Sequence, residues 1–253
     1  MRKITLLALT FISVLSFAQE KIKYSREQLK NMDNYLFEEV FTMVSPSRIS
    51  KIILKDGRTI EGKARDLDRK KAQIYSIDIK DKSGNKQTLE ASQIAEMYLP
   101  TAEFEKAVKI TNYFSKVGYM ENKKIKKSVE KDVVYFRNQK VSLKNKADEK
   151  EYLMQLINPE FSSKIEVYGD PLAGETGGVS INGSPQIGGG VTKSFYVKKG
   201  DNIIWLKKSE FEEQYNFLFG DNAEFVKKYP LNSIKWEQFS FLVSEYTRLA
   251  EEG

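Results

Sequence analysis

Ile52-Ile53-Leu54-Lys55-Asp56-Gly57-Arg58-Thr59-Ile60-Glu61-Gly62 sets an Asp-Gly pair between two strand-like runs. Both residues of such a pair accept positive φ, which the tight turn of a β-hairpin requires. The stretch therefore reads as two antiparallel strands with Asp56-Gly57 at the tip. The pattern continues downstream. Tyr75, Ile77 and Ile79 alternate with Ser76 and Asp78, as they should on a half-buried strand. Lys82-Ser83-Gly84-Asn85 is a second turn, residues 86–89 and 94–99 supply two more strands, and Pro100 stops the run. Five short strands within residues 47–100 predict a small five-stranded β-barrel-like unit, with Gly62 at a bulge or bend.

Upstream, Ser25 with Gln28 forms a capping box, and Leu29, Met32, Leu36, Val40 and Met43 recur at helical spacing. Residues 19–46 thus predict an N-terminal amphipathic helix that ends before Pro46. Ahead of it, Arg2 and Lys3 precede an apolar run, residues 4–17 (ITLLALTFISVLSF), and Ser16-Phe17-Ala18 offers small residues at a cleavage site. The run is about 14 residues, against roughly 20 for a membrane span. Residues 1–18 read as a signal peptide, with Gln19 as the first mature residue.

Beyond the barrel-like unit, residues 101–130 read as a helix and a basic linker carrying the cluster 122–127 (NKKIKK). Residues 131–253 read as a β-rich region followed by C-terminal helices. A hairpin is expected with residues 133–136 and 141–143 flanking Arg137-Asn138-Gln139-Lys140. Residues 152–157 (YLMQLI) suit helix and strand equally. Residues 165–168 and 195–197 read as strands, and Lys199-Gly200-Asp201-Asn202 turns into 203–206. Ser209 with Glu212 opens one helix, 222–229 forms a second, and Ser233 leads into a long amphipathic third. The fold class is α+β: N-terminal helix, five-stranded barrel-like unit, second antiparallel β-rich region, C-terminal helices.

Composition excludes much chemistry. Cys and His both number zero, which removes disulfides, Ser-His and Cys-His nucleophiles, and histidine zinc sites. The formal net charge of +6, two of it from Arg2 and Lys3, is too small for a nucleic-acid-binding surface. Candidate carboxylate pairs are Glu38/Glu39, Asp66/Asp68, Glu103/Glu105 and the group Glu210, Glu212, Glu213. A glycosidase needs two carboxylates facing one another across a cleft, whereas these sit on helix faces or turns. Asp66-Leu67-Asp68 lacks the ligand spacing of a calcium loop. The segment 174–190 (GETGGVSINGSPQIGGG) holds seven of the 15 Gly but leads into a strand, not into the helix N-terminus that phosphate binding requires. It reads as a long β-hairpin loop and as the expected partner-contacting element. Asn182-Gly183-Ser184 matches a glycosylation sequon, weakened by Pro185. No residue is assigned as catalytic, metal-binding or cofactor-binding, and no cofactor is called for.

Several stretches resemble exported proteins of the Bacteroidetes. They are Ser16-Phe17-Ala18 before Gln19, the 53–62 run, Phe195-Tyr196-Val197-Lys198-Lys199-Gly200, Trp205-Leu206-Lys207-Lys208-Ser209-Glu210-Phe211 and Leu218-Phe219-Gly220-Asp221. That resemblance implies an envelope or secreted location and carries no catalytic residue. The 47–99 unit is also similar to small SH3-like or Sm-like barrels. The expectation is a non-catalytic extracytoplasmic binding or envelope-accessory protein whose partner is another envelope protein or a glycan. Two alternatives stay open: a carboxylate-dependent enzyme acting on envelope glycan, and a peripheral membrane-surface protein using Lys123 to Lys127.

Overall fold

A computed structural model describes residues 36–38, 40, 44–70, 72–101, 133–145, 148–173 and 192–252. The leader 1–18, nearly all of the expected N-terminal helix, the linker 102–132 and the segment 174–191 lie outside the described residues. The fold is α+β, as the sequence predicts.

Five strands fall where the hairpin reading puts them: β1 Ile49–Leu54, β2 Thr59–Lys70, β3 Gln73–Asp81, β4 Lys86–Glu90 and β5 Ile94–Pro100. Gly57 sits at the first tip with φ 86°, and the Leu54 amide donates to Arg58 O at 2.8 Å. The barrel, however, is not complete within residues 47–100. Two later strands, β6 Val133–Ser142 and β7 Glu149–Gln155, insert between β5 and β3. The sheet then closes through β2–β3, in the order β2-β1-β5-β6-β7-β3, with β4 as an extra strand on β3. Closure at β3–β7 rests on one pair, Ile74 opposite Leu153. The interior is filled by inward-facing side chains, including Ile52, Ile77, Ile94, Met97, Leu99, Phe136 and Leu153.

The expected hairpin across residues 133–143 is instead one continuous strand. Arg137-Asn138-Gln139-Lys140 reads as a turn because it is polar, yet each of these residues is paired with β7. Their polarity has another cause: Gln139 is buried beside the Tyr168 hydroxyl, and Asn138 donates to Ala91 O. Residues 152–157, open between helix and strand, are strand as far as Gln155.

A second antiparallel sheet has the order β10-β9-β8, from β8 Ile165–Gly169, β9 Ser194–Lys199 and β10 Asn202–Lys207. Gly200-Asp201 turns β9 into β10, with Gly200 at φ 56°. One face carries Ile165, Val167, Phe195, Val197 and Leu206 against three helices: α1 Tyr215–Phe219, α2 Ala223–Lys228 and α3 Phe239–Glu252. The Asn222 side chain caps α2 by accepting from Phe225 N at 2.9 Å. The long helix starts later than Ser233; a 3-10 turn over Trp236–Gln238 leads into it, with the Lys235 amide bonded to Gln238. Trp236, Phe195 and Phe239 pack as a triangle of stacked rings, with Trp236 5.5 and 5.4 Å from the other two centroids.

Phe37 joins this aromatic core, 5.2 Å from Phe195. Of the described residues of the expected N-terminal helix, only Leu36 is helical. Beyond it Glu38 N donates to Ile157 O at 2.7 Å, and Val44 forms an isolated bridge with Thr101. None of the described residues from 37 to 46 is helical, so the helix does not reach Pro46.

Candidate functional site

One cluster of charged and phenolic side chains lies where barrel and second sheet meet; another, around Glu245, lies on the helices. Leu156, just past β7, pairs with Tyr168 on β8, so a single row of cross-strand neighbours runs through both sheets. In order it reads Glu61, Lys51, Tyr98, Tyr135, Leu156, Tyr168, Tyr196, Trp205. Side chains in one row share a face. On the barrel that face is the outer wall. On the second sheet it is the face turned away from the helices, where Tyr168 and Tyr196 bury against Val141, Leu143, Tyr152 and Met154.

Beside the row, Arg137 on β6 stands between two carboxylates. Its Nη1 donates to Glu166 Oε1 at 2.7 Å, and its Nε lies 3.9 Å from Glu96 Oε1. Tyrosine hydroxyls complete the cluster. Tyr98 donates to Glu96 Oε2 at 3.3 Å, Tyr168 donates to Glu166, and Gln139 Nε2 donates to the Tyr168 oxygen at 2.7 Å. Tyr98 and Tyr135 stack at 4.9 Å, and Lys51 covers the Tyr98 ring at 5.9 Å. Burial, then the bond to Glu166, drives the Tyr168 phenol far above its ordinary pKa; burial and Glu96 do the same to Tyr135. Burial works against the Arg137 charge, but the facing Tyr168, Glu166, Tyr135 and Glu96 oxygens outweigh it and its pKa rises. Each carboxylate thus accepts from a tyrosine hydroxyl and faces the same guanidinium.

Two further features flank this junction. Asp170, 5% exposed, accepts from Ser194 Oγ and Trp205 Nε1, both at 2.9 Å. It ties the end of β8 to the start of β9 on either side of the segment 174–191. On the outer edge of β10, the Asn145 amide bonds both backbone groups of Trp205: Trp205 N donates to Oδ1 at 3.2 Å, and Nδ2 donates to Trp205 O at 3.3 Å. Burial pushes the Tyr196 phenol up to about 12, and its oxygen accepts from Lys144 N at 3.0 Å.

The carboxylate pairs singled out in the sequence do not converge. Asp66 and Asp68 are exposed on β2, Glu38 is buried, Glu210 pairs with Lys207, and Glu212 and Glu213 are exposed. Glu39, Glu103, Glu105, Lys123 to Lys127 and 174–190 lie outside the described residues. Glu96 and Glu166 escape a sequence reading because they stand 70 positions apart, and only the strand register brings them to one arginine. A groove of about 490 Å³ opens between the start of β2 and the β3–β4 turn. Its charged walls are spent on each other: Lys82 bonds Glu61 and holds that carboxyl below its ordinary range. Among the described residues no three His, Cys, Asp or Glu side chains cluster as metal ligands. Comparison with family models, with curated proteins and with solved structures yields no match for this chain.

Proposed function

We propose that this chain is an exported, non-catalytic binding or accessory protein of the cell envelope. The observation that carries the reading is the Arg137 clamp. The two carboxylates that the fold draws together, Glu96 and Glu166, are both engaged by one guanidinium and by tyrosine hydroxyls. Carboxylate chemistry on glycan needs two carboxyls facing one another across a gap that holds the substrate, and here the Arg137 guanidinium stands in that gap. What the junction leaves half-exposed instead is Tyr98, Tyr135, Arg137 and, beyond the buried Tyr168 and Tyr196, Trp205, residue types that favour recognition. Export rests on the leader: a positive start, an apolar run too short to span, and a small-residue cleavage site.

Two measurements test this. Protein recovered from its native host should come from the envelope or the medium with an intact mass lacking residues 1–18. Incubated with envelope glycan, it should release no reducing ends. Retention of Met1 to Ala18 overturns export. Reducing ends that appear with the wild type and vanish in Glu166→Gln overturn the non-catalytic reading in favour of a glycan-cleaving enzyme.

A further inference from the structure

We propose that the free edge of β10 receives an extended acidic segment of a partner protein as an added strand, and that Asn145 occupies the place of that strand until it arrives. This rests on the binding-protein reading above and gives it a surface and a partner chemistry.

Among the described residues β10 is the outer strand of its sheet, paired only with β9. Backbone groups alternate sides along a strand. Since Trp205 turns its N–H and C=O outward to Asn145, Ile203 turns its own the same way, and no described residue bonds them. An unpaired row of this kind is a template for another strand. Asn145 imitates one peptide of such a strand, and it does so weakly. Its two bonds are 3.2 and 3.3 Å long and exposed. The backbone that presents it is left-handed at two consecutive non-glycine residues, Lys144 at φ 58° and Asn145 at φ 53°. Such conformations are unfavourable and persist at ligand clamps and switch positions. An incoming strand would replace two long bonds with a ladder and release the turn.

Charge selects the occupant. Alternation puts Ile203, Trp205 and Lys207 of β10 on the face shared with Tyr196 and Lys198 of β9. Lys144 and Lys207 both lie over the Trp205 ring, at 5.9 and 5.2 Å. Lys207 is paired with Glu210, so a strand laid along this edge meets Lys144 over the Trp205 ring and Lys198 on the same face, and acidic side chains suit it. A second copy of β10 would bring the same lysines face to face, which opposes self-pairing.

The test uses the full-length mature chain and two short fluorescent peptides, one alternating valine and glutamate and one alternating valine and lysine, followed by anisotropy. The valine–glutamate peptide should bind saturably and the lysine peptide should not. Asn145→Ala, which removes the competitor, should tighten binding several-fold. Ile203→Pro removes only an outward N–H and spares the β9 ladder; it should weaken binding about tenfold or more. Because proline can distort the strand, Lys144→Glu with Lys198→Glu serves as the second variant and should reverse the peptide preference. Equal binding of both peptides, no binding even to Asn145→Ala, or indifference to both the proline and the charge-reversed variants overturns the proposal. So does self-association of Asn145→Ala on a sizing column without peptide binding. None of these readouts measures catalysis, so a failure here leaves the non-catalytic reading standing, and glycan cleavage would sink that reading without touching the edge.

Discussion

Gly62 lies where β2 first meets β3, opposite Asp81, and a Cβ built there would stand 2.3 Å from the Lys80 carbonyl oxygen and 2.9 Å from Asp81 Cα. Both neighbours are backbone, so neither can rotate away. Gly62→Ala is expected to destabilise the protein by about 1–3 kcal/mol, the range for overpacking a filled site, read as a lower urea midpoint with unchanged slope. A midpoint equal to the wild type would mean that the strands part there at no cost. The sequence marked this glycine as a bend and Gly57 as a hairpin residue, because turn chemistry is local. Asn158 shows what a residue-by-residue reading passes over. Lying just before Pro159, it is fully buried; its amide donates to Ile165 O at 2.8 Å and its Oδ1 accepts from Val167 N at 2.7 Å. Nothing near it in sequence announces partners on another strand.

Strands β1, β3, β4 and β5 were legible because each is a short run with a Gly, Asn or Pro turn or stop at one end, visible one element at a time, whereas β2 was legible only at its start and runs on past Gly62 to Lys70. The strands that finish the barrel were not. β6 carries polar residues at its centre because Arg137 and Gln139 reach Glu166 and Tyr168 of the second sheet while Asn138 reaches the Ala91 carbonyl, and a polar centre is also what a turn looks like. The closure order depends on register between segments separated by more than thirty residues, which no local pattern encodes. The candidate site follows the same rule: Glu96, Arg137 and Glu166 come from three strands of two sheets. It follows that a fragment of residues 44–101 should not fold alone. Cut there, β5 loses its β6 partner, Ile74 loses Leu153, and the core loses Val134, Phe136 and Leu153. Three buried apolar side chains at roughly 1.5–3 kcal/mol each approach the whole stability of a typical small domain, about 5–15 kcal/mol. The fragment should give a collapsed proton NMR spectrum. A dispersed one would show that five strands suffice and that β6 and β7 only decorate them.

As a whole, the molecule is three layers, with barrel and helices on opposite faces of the second sheet, and its titratable groups fix how that stack responds to pH. His is absent, so no side chain ordinarily titrates near neutrality. Two carboxylates hold the helical layer. Burial opposes ionisation of Asp221, but Lys199 and the Tyr246 hydroxyl, at 2.6 and 2.8 Å, more than offset it and lower its pKa. Burial likewise opposes Glu245, and Arg248 with Lys228 lowers it on balance. A carboxyl with a depressed folded pKa contributes stability that is present above the unfolded value and lost as pH falls through the folded one. The acid limb should therefore begin below about pH 4.5, near ordinary carboxylate values. At the other end stand phenols raised chiefly by burial: Tyr168, Tyr135 and Tyr246 well above the ordinary range, and Tyr196 to about 12. Above about pH 10 the unfolded chain ionises its tyrosines while the folded chain holds them neutral, so stability falls with rising pH. For Tyr196, a rise from 10.0 to about 12 corresponds to roughly 2–3 kcal/mol lost once pH has passed the folded value. Chemical denaturation followed from pH 3 to 11 should thus give a plateau between about pH 5 and 9, with a descent at each end. Tyr196→Phe should flatten the alkaline descent and leave the acid one unchanged. An inflection near pH 6–7 would contradict the assignment, because the chain has no histidine, and an alkaline limb unmoved by Tyr196→Phe would mean that this phenol ionises at the same pH in the folded and unfolded chain.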